Sequence, residues 1–81
     1  MTREEVYVRL NKIFQSVFDD ESIIVNASTC AEDIEDWDSF EHINLVVAVE
    51  HEFGIKFNIK EAKNFKNVGE MVEVIMSRGE Q

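Results

Sequence analysis

The stretch EDWDSFEHINL, Glu35 to Leu45, places a serine at the point where a helix should begin. Asp38 is a residue type favoured at helix N-caps, and Glu41 follows three positions later, which is the spacing of a capping box. The pattern predicts that Asp38 accepts a first-turn backbone N–H and that Glu41 reaches back to the N–H of Asp38. Ser39 then becomes the first helical residue, and its hydroxyl, which the cap does not need, can face solvent.

The same capping pattern recurs elsewhere and divides the chain into helices. A capping residue is followed three positions later by Glu at Thr2/Glu5, Asn58/Glu61 and Asn67/Glu70. These starts predict four helices, over about residues 3–17, 39–53, 59–65 and 68–78. The second should end at Gly54 and the fourth near Gly79, because glycine is the common helix C-cap. The predicted fold is all-α: a small four-helix bundle, with three longer helices and one short helix.

Apolar residues at helical spacing supply the predicted core. In the first helix they are Val6, Leu10, Ile13, Phe14 and Val17, and in the fourth they are Met71, Val72, Val74, Ile75 and Met76. The connection between the first two helices, Phe18 to Trp37, is long, and connections of this length are often functional. We expect this loop to be anchored on the bundle by Ile23, Ile24, Val25, Ile34 and Trp37.

The second helix combines a polar arc with a broad apolar one. At about 100° per residue, the polar arc holds Glu41, Asn44, Ala48, His51 and Glu52. The apolar arc holds Phe40, Ile43, Val46, Val47, Val49 and Phe53, with Leu45 at the border. The pattern predicts a largely buried helix that shows a narrow acidic strip, with Glu50 at the margin of the bundle.

Length and composition narrow the class of protein. The chain has 81 residues, which we interpret as a single domain spanning residues 1–81. Cys30 is the one cysteine, so the chain has no internal disulfide and no cysteine-based zinc cluster. A single free cysteine fits a protein of a reducing compartment. The charged N-terminus is unlike a signal peptide, and no apolar run approaches the ~20 residues that cross a bilayer. We expect a cytoplasmic monomer without membrane insertion.

Charge is distributed unevenly along the chain. The formal net charge is −9, and nucleic-acid binding needs clustered Lys and Arg, so nucleic acid is not an expected partner. Residues 13–55 contain eleven Asp and Glu but no Lys or Arg. This acidic half either attracts basic partners or serves only as a solvated face that aids solubility.

The residues do not form a catalytic or metal centre. Ser39 lacks a Gly-x-Ser-x-Gly elbow, and His42 nearby has no orienting carboxylate, so we do not expect an enzyme. Neither His42 nor His51 belongs to a set of three or four metal ligands. Three interpretations of Ser39 remain: a plain residue beside a cap, a site of phosphorylation, or the attachment point of a carried group.

Three segments of the chain resemble one known protein family. DSFEHINLVVAVEHEFGI, residues 38–55, is similar to the segment around the prosthetic-group serine of acyl carrier proteins, where Asp-Ser-Leu opens the second helix. NASTCAEDIEDWDS resembles the loop before that serine, and NVGEMVEVI resembles the last helix. The resemblance covers about residues 6–75.

The resemblance implies that Ser39 is esterified by 4′-phosphopantetheine, which a phosphopantetheinyl transferase donates from coenzyme A. The terminal thiol would carry an acyl or aminoacyl group as a thioester, and Asp38 would take part in transferase recognition. Further implied partners are a loading ligase and downstream synthases or transferases of a specialised or fatty-acid-like pathway. The implied partner-binding residues are Trp37, Phe40, Glu41, Asn44, Leu45, Ala48, Glu50 and Glu52.

Four positions depart from the family pattern. Phe40 replaces the usual Leu, Asn44 and His51 stand where acidic residues are frequent, and Trp37 replaces a small residue. Trp-Asp-Ser looks more like stand-alone carriers of specialised pathways. The alternatives are an aminoacyl or peptidyl carrier protein, or a helical interaction module phosphorylated at Ser39.

Overall fold

The computed structural model describes residues 2–78, which form four α-helices and one short 3-10 helix. The helices are α1 (Arg3–Val17), α2 (Ser39–Phe53), α3 (Ile59–Lys63) and α4 (Val68–Arg78), and the 3-10 helix is Ala31–Asp33. No strand occurs in this part of the chain. The all-α prediction is confirmed, and α1, α2 and α4 have the predicted bounds. The C-cap expected near Gly79 lies outside the described residues.

The third helix is shorter than predicted. It ends at Lys63 rather than Phe65, because the N–H of Asn64 bonds to the carbonyl of Glu61, three residues back, and the backbone leaves the helix. Phe65 then turns inward and meets the ring of Phe57 edge-on, with the centroids 5.2 Å apart. A half-buried aromatic contact therefore outweighs one more turn of a short helix.

Side-chain caps explain where the helices start and stop. Asn58 and Glu61 form the predicted reciprocal capping box. The N–H of Glu61 donates to the amide oxygen of Asn58 at 2.7 Å, and the N–H of Asn58 donates to the carboxylate of Glu61 at 3.0 Å. Gly54 ends α2 in the left-handed region at φ 64°, where glycine avoids the strain that other residues meet. Glu70 departs from its predicted box, since its carboxylate accepts from Lys66 N–H rather than from the cap residue.

The core lies where α1 packs against α2 and α4. Its fully buried side chains are Val6, Leu10, Phe14, Leu45, Val49, Val68, Met71, Val72 and Ile75. The predicted stripes of α1 and α4 face this core, with Val17, Val74 and Met76 only half-buried. Burial of such side chains contributes roughly 1.5–3 kcal/mol each, and it is the main term stabilising a chain of this size.

The long loop is anchored by backbone hydrogen bonds as well as by apolar contacts. Its Thr29 carbonyl accepts from Val68 N–H at 2.8 Å, and its Ala27 carbonyl accepts from Gly69 N–H at 3.0 Å. The loop therefore caps the start of α4. Val25 is buried as expected, but Ile24 is 77% exposed, so the prediction that Ile24 anchors the loop is wrong. Ile23 and Val25, on either side of Ile24, contact the core, and the backbone between them turns the Ile24 side chain outward.

Two ion pairs with short contacts join α4 to its neighbours. Arg78 binds both carboxylate oxygens of Glu61 in α3 at 2.6 Å, and Arg3 in α1 lies 2.6 Å from Glu73. Hydrogen bonds from Arg78, aided by the backbone of Asn58, lower the pKa of Glu61 from its ordinary value. Among residues 2–78, no helix has both the length and the apolar character needed to cross a membrane.

Candidate functional site

Ser39 occupies the first position of α2, and its side chain is exposed. The carboxylate of Asp38 accepts the N–H of Glu41 at 2.8 Å, so the predicted N-cap is confirmed. The reciprocal bond from Glu41 is not formed. Its carboxylate accepts from the amide of Asn44 at 2.8 Å, while Asp38 N–H bonds to the carbonyl of Asp36. The bond from Glu41 N–H to the Asp38 carboxylate therefore caps the helix without the Ser39 hydroxyl.

Trp37 fixes the approach of the loop to Ser39. Its ring lies against Phe14 edge-on at 5.3 Å and near Phe18 at 6.2 Å, and its side chain is 9% exposed. Leu45 is fully buried in the same core. Neither side chain is available to a partner's surface, so both leave the set of residues expected to contact partners. Trp37 instead holds the residues just before the helix in place.

His42 joins three parts of the site. Its Nδ1 accepts from the indole N–H of Trp37 at 3.0 Å, and the rings stack at an interplanar angle of 18°. Because Nδ1 accepts, the proton is on Nε2, which donates to the carbonyl of Ala62 in α3. His42 thus ties the loop, α2 and α3 together. With both nitrogens engaged, it does not serve Ser39 as a base.

This role of His42 was not predicted from the sequence, where His42 was considered only as a base for Ser39 or as a metal ligand. A signal existed, because a buried tryptophan needs an acceptor for its N–H and His42 lies in the first turn after Trp37. The partner on α3 could not be inferred from local spacing, since His42 and Ala62 are far apart in the chain.

A groove of about 580 Å³ opens beside Ser39, between the start of α2 and the segment that follows α3. Its lining consists of Ala31, Trp37, Asp38, Ser39, His42, Ile43, Lys63, Phe65 and Lys66. Apolar side chains form much of the wall, and two lysines lie on the α3 side. The groove offers a covalently attached group both an apolar surface and positive charge.

An apolar row runs along the outer face of α2 from the residue after Ser39. Phe40, Ile43 and Val47 are 72%, 64% and 58% exposed, so the prediction that α2 buries them is wrong. The helix has more apolar residues than one face can bury, and α1 covers the side that carries Leu45 and Val49. Exposed apolar side chains at helical spacing mark a surface that a partner can cover.

The remaining residues of the predicted strip have different environments. Asn44 is exposed and Ala48 is half-buried, and both line a groove of about 700 Å³ between α1 and α2. Glu52 is exposed and lies 3.6 Å from Arg9 of α1. Glu50 is half-buried, and its carboxylate accepts the N–H of Phe57 at 2.7 Å, so it supports the turn after α2.

No cluster of three or more His, Cys, Asp or Glu side chains is placed to hold a metal ion within residues 2–78. The ionisable side chains that line the groove with Ser39 are Asp38, His42, Lys63 and Lys66, and none of them is hydrogen-bonded to the Ser39 hydroxyl. The geometry therefore presents an exposed hydroxyl at the first position of a helix.

Comparison with known proteins identifies a close structural relative. Neither the models of known protein families nor the curated protein sequences give a match. Among solved structures, the solution NMR structure of the holo acyl carrier protein from Geobacter metallireducens has 40% sequence identity and a TM-score of 0.83. The match covers 89% of this chain and 83% of that one. With this identity over nearly the whole length, the chain belongs to the acyl carrier protein family.

Proposed function

We propose that this protein carries an acyl group as a thioester on 4′-phosphopantetheine attached to Ser39, and presents it to biosynthetic enzymes. The observation that carries the proposal is the exposed Ser39 hydroxyl at the first position of α2, beside a cap supplied by Asp38. The related structure is that of a holo acyl carrier protein, which supports the same assignment. The protein then acts as a carrier and not as a catalyst.

The residues around Ser39 fit a phosphate ester. The start of a helix carries partial positive charge from its unpaired N–H groups, which favours an anion there by about 0.3–1 kcal/mol at an exposed position. Asp38 opposes this, but Lys63 and Lys66 line the adjoining groove. When bound, the group supplies a thiol that holds the acyl chain. The protein's own residues orient that group and leave its attachment point open to solvent.

The exposed row of Phe40, Ile43 and Val47 is the proposed docking surface for partner enzymes. It begins at the residue after Ser39, so a partner that covers it brings its own active site close to the carried group. Asp38 and Glu41 provide negative charge at the same end. The matching partner surface has an apolar hollow with a basic rim near Ser39, and charge complementarity of this kind speeds association.

We assign this surface to a phosphopantetheinyl transferase, a loading ligase and the downstream synthases or transferases. Asn44, Ala48 and Glu52 lie further along α2 and extend the contact toward α1. Arg9 and Lys12 border that groove. Partners that reach this far therefore meet positive as well as negative charge.

The lone cysteine permits a direct test. A Cys30→Ser variant has no thiol, so attachment of one phosphopantetheine adds one titratable thiol to a background of none. After incubation with coenzyme A and a broad-specificity transferase, we expect one thiol per chain, and none in the Cys30→Ser, Ser39→Ala double variant. Failure of several active transferases to add a thiol would refute the proposal. Phosphate on Ser39 in cells, without a thiol, would instead favour a phosphorylated interaction module.

A further inference from the structure

Lys63 and Lys66 bring positive charge back to the acidic surroundings of Ser39. They lie far along the chain, beyond the acidic half, yet both line the same groove as Ser39. Both side chains are exposed, and neither forms an ion pair with another residue in the range 2–78. Two lysines without an ion-pair partner in this range therefore line the groove that also contains Ser39.

The position of these lysines is fixed by the fold. His42 donates to the carbonyl of Ala62, the residue before Lys63, and so holds the end of α3 against α2. Phe65, between the lysines, is held edge-on to Phe57 at 5.2 Å. The backbone that carries both ammonium groups is thus tied to the bundle on each side.

We propose that Lys63 and Lys66 form a subsite for the phosphodiester of the group carried on Ser39, and that the inner part of its arm lies in this groove against Phe65 and Ile43. The proposal rests on the proposed function. Ser39, Lys63 and Lys66 line the same groove, so a phosphodiester on the Ser39 oxygen would begin in the groove that the two lysines border. Lysine binds phosphate as a point charge on a flexible side chain, so it suits reversible contact with the attached group.

Docking of the arm has a consequence for partner enzymes. The arm lies on the α3 side of α2, where it leaves Phe40 and Val47 uncovered, but it shares Ile43 with the docking surface. A partner that covers the whole row displaces the arm from Ile43 and frees the thiol end. The lysines therefore set how readily an undocked carrier releases its arm.

The test uses holo-protein labelled with 13C and 15N that carries an unlabelled arm, and isotope-filtered NOEs between the arm's methyl groups and the protein. We expect NOEs to Phe65 and Ile43. They should weaken as salt rises from about 0.01 M to about 1 M, because the screening length falls from about 30 Å to about 3 Å. In a Lys63→Gln, Lys66→Gln variant the equilibrium constant for docking of the arm should fall by about fivefold or more, the effect of one exposed charge contact.

A Lys56→Gln, Lys60→Gln variant is the matched control, since it removes the same charge from exposed lysines outside the groove and should keep the NOEs. If intact mass shows full loading of Ser39 but no NOE to the groove appears, the subsite is refuted while the carrier function stands. Equal loss of NOEs in both double variants would also overturn the assignment to Lys63 and Lys66. If Ser39 is not loaded at all, the proposed function fails first.

Discussion

Replacement of His42 by alanine should destabilise the protein through two lost hydrogen bonds. The change leaves the indole N–H of Trp37 and the carbonyl of Ala62 without their present partners, and it removes a ring stacked on Trp37. An intramolecular hydrogen bond contributes about 0.5–1.5 kcal/mol, and a buried group left unpaired costs about 1–3 kcal/mol. Alanine recovers up to about 0.7 kcal/mol of helix propensity.

The expected net loss in the free energy of unfolding is therefore about 2 kcal/mol. Chains of this length are stable by roughly 4–12 kcal/mol, so the loss should be easy to measure. Urea unfolding should be followed by far-UV circular dichroism rather than by fluorescence, because the substitution changes the surroundings of Trp37, the one tryptophan.

His51→Ala is the matched control. It makes the same substitution on the same helix at an exposed position, where the effect should stay within about 0.5 kcal/mol. If His42→Ala and His51→Ala lower the free energy of unfolding equally, the Trp37–His42–Ala62 bridge does not stabilise the site. The reasoning about α3 would then fail with it.

Three further substitutions test separate contacts. Gly69→Ala should lower stability by about 1–3 kcal/mol in thermal melts, because its Cβ would lie 2.8 Å from the carbonyl oxygen of Ala27 and this clash exceeds alanine's gain in propensity. Arg78 holds the pKa of Glu61 below its ordinary 4.5, so the stability from this pair is present above pH 4.5 and is lost as the pH falls through the lower pKa of the folded state. Glu61→Gln should therefore show a shallower loss of urea stability on acidification. Phe40→Ala should leave stability within about 0.5 kcal/mol but lower the transferase kcat/KM about fivefold or more.

Each of these has a result that contradicts it. A higher melting temperature for Gly69→Ala would show that the loop yields without cost. If the free energy of unfolding falls equally with pH in Glu61→Gln and in the wild type, the Arg78–Glu61 ion pair does not contribute to the acid dependence of stability. Ile24→Ala is the control for Phe40→Ala, because Ile24 is an apolar loop residue that is about as exposed as Phe40. Equal kcat/KM values for the two variants would show that Phe40 has no role in docking.

Helix boundaries were predictable because local chemistry sets them. Asp38 and Gly54 mark the two ends of α2 through a side-chain acceptor and a left-handed backbone, which act within one turn. The same holds for Ser39, whose place at the first helical position follows from the cap alone. The predicted end of α3 was wrong because Phe65 lies outside the helix and packs against Phe57, a contact that the local sequence pattern does not indicate.

The outward face of α2 was not predictable from its own sequence. A helical wheel groups Phe40, Ile43 and Val47 with Val49, but only the position of α1 decides which of them is covered. The buried state of Leu45, placed at the border of the wheel, has the same cause. Tertiary packing also gave His42 its partner on α3, which the sequence places twenty residues away.

Tandem mass spectrometry of the peptide that contains Ser39 shows directly whether this serine bears the carried group. Protein incubated with coenzyme A and transferase, and protein isolated from its own cells, should both yield a peptide with one 4′-phosphopantetheinyl group whose fragments localise it to Ser39. Ser39→Ala should yield none. An unmodified Ser39 in both preparations, beside a second carrier protein modified in the same reaction, would contradict the account.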